Sequence, residues 1–111
     1  MPTLLLIHGG LWEDIGADWF WRRPGILAGF ERLGFTVVAP DRLRRPASWA
    51  ADAEHVLAVV PGGPVTVLGG SFGCSAAVRL ALDSPGRVQR LVLAWPASLS
   101  DQFAAIMAGT L

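Results

Sequence analysis

Four short apolar runs, each stopped by glycine or proline, constrain this fold more than any other feature of the chain. Thr3-Leu4-Leu5-Leu6-Ile7 runs into His8-Gly9-Gly10, and Phe35-Thr36-Val37-Val38-Ala39 into Pro40-Asp41. Val65-Thr66-Val67-Leu68 runs into Gly69-Gly70, and Leu91-Val92-Leu93-Ala94 into Trp95-Pro96. These runs are apolar throughout rather than alternating, so each reads as a strand covered on both faces. Helical segments fill the intervals. One spans about 19–33, with a break or start near Pro24 and with Gly34 as its C-terminal glycine. Ser48 is a good N-cap for a second through about Val60, which Pro61-Gly62-Gly63-Pro64 stops. A third spans about 72–82 and a weaker one about 99–108. Strand-helix alternation with short loops gives a parallel sheet with right-handed crossovers. The expected fold is α/β: three layers, α/β/α, around a mainly parallel sheet of about four strands in the order 2-1-3-4.

Composition narrows the function classes. Apolar residues make up 52% of the 111 and charged residues 16%, too apolar for a disordered chain. Nine basic residues balance nine acidic ones. A neutral chain offers no electrostatic footprint for nucleic acid or an anionic membrane, and neither is expected as a partner. Arg42, Arg44 and Arg45 form the nearest thing to a basic patch and read as solvated surface. Cys74 is the one cysteine, so no internal disulfide forms, and no metal or cofactor site is expected. No apolar stretch approaches the roughly 20 residues of a membrane span. No signal peptide is evident at the N-terminus, and a cytoplasmic location is the expectation.

The segment that carries chemistry is Gly69-Gly70-Ser71-Phe72-Gly73, a G-x-S-x-G pattern between a strand run and a helical run. A strand that reverses into a helix within about three residues forces the apex serine toward strained backbone angles. Gly69 and Gly73 leave room where a Cβ would clash. The turn lifts the Ser71 hydroxyl above the sheet and aims a helix N-terminus at it. Free N–H groups there favour a developing negative charge. The small residues Cys74, Ser75, Ala76 and Ala77 let that helix lie close to the sheet, which reads Cys74 as buried packing. In a 2-1-3-4 sheet the first and third strands are neighbours and the winding direction switches between them. That opens a crevice at their carboxyl ends, so the turn at His8-Gly9-Gly10-Leu11 faces the serine turn.

Taken in order, the first strand with His8-Gly9-Gly10, then Val37-Val38-Ala39-Pro40-Asp41-Arg42, then Gly69-Gly70-Ser71-Phe72-Gly73, then Val88-Gln89-Arg90-Leu91-Val92-Leu93 resembles the α/β-hydrolase superfamily. The resemblance implies that residues 1–111 are one α/β-hydrolase-like domain, and an incomplete one. It implies Ser71 as nucleophile and an oxyanion hole from the backbone N–H of Phe72 and of Gly10 or Leu11. Gly9, Gly69 and Gly73 become the turn glycines. A serine at the apex points to ester, thioester or related acyl transfer, with a small acyl compound as substrate.

The superfamily places its acid and then its histidine after the serine, but no histidine follows Ser71 here. A serine hydroxyl without a base is a poor nucleophile at neutral pH. His8 and His55 are the only histidines. His8 reads as structural within its turn. His55 reads as a surface residue with Asp52 three residues earlier on the same helix face. Asp41 reads as a loop-capping residue, and Asp101 as the cap of the last helix or a relocated acid. Trp12, Trp19 and Trp21 read as core or site wall. Two readings stay open: a serine hydrolase, and an inactive hydrolase-like domain that binds an acyl or carboxylate ligand or a partner chain. A dinucleotide-binding domain is the weakest alternative, because no G-x-G-x-x-G follows the first strand. An apolar strand at 91–94 on a sheet edge invites pairing with a second copy, as does the terminal helix.

Overall fold

The computed structural model describes residues 2–10 and 15–95. Four parallel strands form one sheet in the order β2-β1-β3-β4, with β1 at Thr3–Ile7, β2 at Thr36–Val38, β3 at Val65–Gly70 and β4 at Val88–Ala94. The expected order and parallel direction therefore hold. Leu5 lies beside Val38 on one side and Val67 on the other, which centres β1 in the sheet. β3 outlasts its apolar run because Gly69 and Gly70 stay paired, with Leu93 and Ala94. The chain turns only at Ser71.

Alternate residues of β1 serve opposite cores, as the period of a strand requires. Leu5 and Ile7, with Val65 and Val67, pack under α2 (Trp49–Leu57) and α3 (Gly73–Asp83) through Trp49, Ala53, Val56, Ala76, Ala77 and Leu80. Leu4 and Leu6 face the other layer, against Ala17, Trp21 and the partly buried Phe20, Ile26, Leu27 and Phe30. The structure has three layers, with α1 (Ile26–Arg32) in the second face.

The first helical interval is divided, as expected, near Pro24. The segment before the break, however, is a π-helical turn at Asp18–Arg22, and α1 follows it. Pro24 has no N–H to donate, and Gly25 adopts a left-handed φ of 84° that ends one segment before the next begins. Ser48 caps α2 as expected, its hydroxyl accepting from the Ala51 N–H at 3.0 Å. α2 stops at Leu57, short of Val60. The helix expected at 99–108 lies outside the described residues. Among those described, no helix is long and apolar enough to cross a membrane.

Candidate active site

The corner at Ser71 has the backbone that its residues require. Strand pairing holds through Gly70, Ser71 takes a φ of 53°, and α3 starts at Gly73. Left-handed φ is unusual for serine and costs on the order of 1–3 kcal/mol. Two hydrogen bonds hold it there. The Ser71 N–H donates to the Ala94 carbonyl at the end of β4, 2.9 Å away, and the Ser71 carbonyl accepts from the Cys74 N–H at 3.0 Å. Ser71 stays partly exposed.

The glycines around it are spatial necessities. A Cβ on Gly69 would lie 2.9 Å from the Cys74 Cα and 3.0 Å from the Ala77 Cβ. One on Gly73 would run into the carbonyls of Ile7 and His8. α3 thus starts directly against the end of β1. Gly70 faces the Phe20 ring, where a Cβ would approach Cε1 to 2.6 Å. The two turns also meet each other: a Cβ on Gly9 would lie 3.0 Å from the Ser71 Cβ and 2.8 Å from Phe20. Gly10, at φ 90°, lets the first turn leave the strand in a direction that side-chain-bearing residues rarely take. Among the described residues, the N–H groups of Phe72 and Gly10 donate to no protein acceptor. Amides with no acceptor among the described residues, beside a partly exposed serine at the start of an 11-residue helix, suit a negatively charged oxygen.

His8 is buried, 4% exposed, and both ring nitrogens are occupied. Its Nδ1–H donates to the Gly9 carbonyl at 2.7 Å, and its Nε2 accepts the Arg42 N–H at 2.9 Å. Burial lowers its pKa below the usual 6.5, aided by the Arg42 charge and opposed by the Gly9 hydrogen bond and the carboxylates of Asp41 and Asp52. The ring is therefore neutral at pH 7 and has no free lone pair for a serine proton. His55 sits elsewhere, exposed, with Nε2 3.0 Å from the Asp41 carbonyl. Asp41 is a cap as expected: its Oδ1 accepts the Ala17 N–H at 2.8 Å. Leu11, Trp12 and Asp101 lie outside the described residues. Trp21 is core at 1% exposure, whereas Trp19 is 57% exposed and belongs to no core. Cys74 is buried packing, its Sγ 3.2 Å from the Gly69 carbonyl.

Two readings need correction. Arg42 is not solvated surface: it is 6% exposed and forms an ion pair with Asp52 at 2.7 Å. Nor does Asp52 accompany His55. It is fully buried and its second oxygen accepts the Leu43 N–H at 3.1 Å. The Arg42 guanidinium also donates to the carbonyls of His8, at 3.0 Å, and Gly10, at 2.7 Å, and lies over the Trp49 ring at 5.6 Å. Arg44 and Arg45 are exposed as expected.

Comparison with known proteins agrees with this geometry. The model of the alpha/beta hydrolase family matches residues 4–110. The chain belongs to the α/β-hydrolase family. An extracellular α/β-hydrolase from a Paenibacillus species superposes with a TM-score of 0.70 at 23% identity, covering 89% of this chain and 43% of the other. A probable hydrolytic enzyme from Pseudomonas aeruginosa is 31% identical, TM-score 0.68, covering 93% and 35%. Polyneuridine aldehyde esterase is 25% identical, TM-score 0.64, covering 86% and 40%. The chain spans less than half the length of each of these three α/β-hydrolase-fold structures.

Proposed function

We propose that Ser71 is the nucleophile of a serine hydrolase that acts on a carboxylic ester, thioester or related acyl substrate. The observation that carries this reading is the left-handed Ser71 at a strand-to-helix corner, abutting the Gly9 turn. Attack of the Ser71 oxygen on an acyl carbon places negative charge on the former carbonyl oxygen. The N–H groups of Phe72 and Gly10, with Leu11 as the further candidate, are the donors to receive it. The proton leaves Ser71 for a base supplied from outside the described residues, since His8 is fully engaged and His55 lies against Asp41. The family order of serine, acid and histidine implies that this base and its acid partner stand on segments after β4. The likeness to an esterase supports ester chemistry.

A second reading is favoured by that same engagement of His8: an inactive domain whose free amides hold a carboxylate. A fluorophosphonate probe separates the two. Labelling of this chain that Ser71→Ala abolishes supports the hydrolase. A cooperatively folded protein that stays unlabelled with the segments after β4 that carry the base present supports the binding reading and overturns the nucleophile assignment. His55→Ala should leave any labelling in place, since that ring lies against the Asp41 carbonyl.

A further inference from the structure

We propose that the buried Arg42–Asp52 pair is a positioning device that sets the direction of the Gly10 N–H. The inference rests on the hydrolase reading for its catalytic consequence, though not for its geometry.

The pair acts on three consecutive peptide units. In a trans peptide the N–H points opposite to the carbonyl of the same unit, so a held carbonyl fixes where the next amide aims. Arg42 Nη1 holds the His8 carbonyl at 3.0 Å and the Gly10 carbonyl at 2.7 Å. Between them, the His8 ring holds the Gly9 carbonyl, and the Arg42 backbone N–H holds that ring. The Gly9–Gly10 unit, which carries the Gly10 N–H, is therefore gripped directly through His8 and flanked on both sides by the guanidinium. Glycines alone would leave this turn mobile.

Asp52 fixes the guanidinium in turn. One oxygen takes Nε at 2.7 Å and the other takes the Leu43 N–H at 3.1 Å. The side chains of Arg42 and Asp52 are 2% and 0% exposed. The Trp49 ring closes the guanidinium face. A planar donor that reaches two carbonyls and a carboxylate together is a task for arginine; the point charge of lysine cannot span it. Arg42, on the loop after β2, and Asp52, on α2, thus control the turn that follows β1.

The test compares the full chain with Arg42→Met/Asp52→Leu, which removes both charges and leaves neither orphaned, and with Arg42→Lys. Backbone 15N relaxation reads the turn itself. The order parameters of Gly9 and Gly10 should fall from the rigid range near about 0.85 to below about 0.6, while Leu5 and Leu6 stay rigid. The fluorophosphonate reads the consequence: the maximal labelling rate of Ser71 should drop about 100-fold in both variants, with the probe's reversible affinity unchanged. Cooperative melting of the variants separates loss of positioning from loss of fold. A folded variant with rigid glycines, or with wild-type labelling, overturns the proposal. Should the wild-type chain not label, the relaxation data alone decide the positioning role. Should the double variant not fold, Arg42→Lys carries the same two readings.

Discussion

One methyl group at Gly73 should destabilise this protein heavily, although simple helix propensity argues the reverse. Gly73 opens α3 with no left-handed φ. By propensity alone, Gly73→Ala would stabilise the helix by up to about 1 kcal/mol. The added Cβ, however, meets the Ile7 carbonyl and lies 2.5 Å from the His8 oxygen and 2.9 Å from the Ile7 carbon, where ordinary contact starts at about 3.4 Å. These obstacles are backbone and have little freedom to retreat. Ile7 pairs with Gly69 across the sheet, and Arg42 holds the His8 carbonyl. Overpacking against movable side chains costs about 1–3 kcal/mol. Against fixed backbone the cost should reach at least about 3 kcal/mol, a large part of a typical 5–15 kcal/mol stability. The melting temperature should fall by about 10–20 °C. Gly70→Ala is the control, because its Cβ meets the side chains of Phe20 and Trp21. Its loss should be smaller, about 1–3 kcal/mol, and Phe20→Leu should recover part of it. Urea unfolding followed by circular dichroism measures all three variants. A Gly73→Ala protein as stable as wild type, or more so, would falsify the close approach of α3 to the end of β1 and with it the sharp corner at Ser71.

Two further predictions follow from burial. Because the folded pKa of His8 is lowered, the unfolded chain binds its proton first as pH falls. The His8 contribution is fully present above about 6.5 and is lost as pH drops through the unfolded value toward the folded one. The urea midpoint should fall between pH 7 and 5, and an NMR titration of the ring should give a pKa under 6.5; a value above it refutes the account. On the other side of the sheet, among the described residues β4 pairs only with β3, and Val92 and Leu93 are 43% and 38% exposed. The chain should self-associate at micromolar concentration, and Val92→Lys should weaken that association; a wild-type monomer in sedimentation contradicts it.

How much of this was legible in the sequence depends on the range of the interaction. The strands and the serine corner were readable because their causes are local. Unbroken apolar runs in β1 and β3 demand cover on both faces, and Gly69, Ser71 and Gly73 stand where a tight reversal needs them. The limits of elements were less readable. Gly69 and Gly70 resemble a turn, yet they remain in β3 because their backbone groups pair with β4 whatever their side chains lack. The π-helical turn at Asp18–Arg22 has no signature in apolar spacing; it brings Phe20 and Trp21 onto Gly9 and Gly70.

The Arg42–Asp52 pair was misread because a charge was judged by its neighbours in sequence. Arg42 stands near Arg44 and Arg45, and that company suggested solvent. Asp52 carried the better clue. Trp49, Asp52, Ala53 and Val56 fall at the helical spacing of one face, and the other three are core. A carboxylate in the middle of an apolar stripe cannot be left bare, because burying an unpaired charge costs far more than one side chain's packing returns. It must have a cation, and the arginine beyond the end of β2 is close in space once the sheet order is fixed. The pairing thus became derivable only after the topology, which explains why the serine side of the site was plain from the chain and the support behind the Gly10 turn was not. The same dependence says where sequence reading of this fold should look next: at any charged residue on the buried stripe of a crossover helix, with its partner sought at the strand ends.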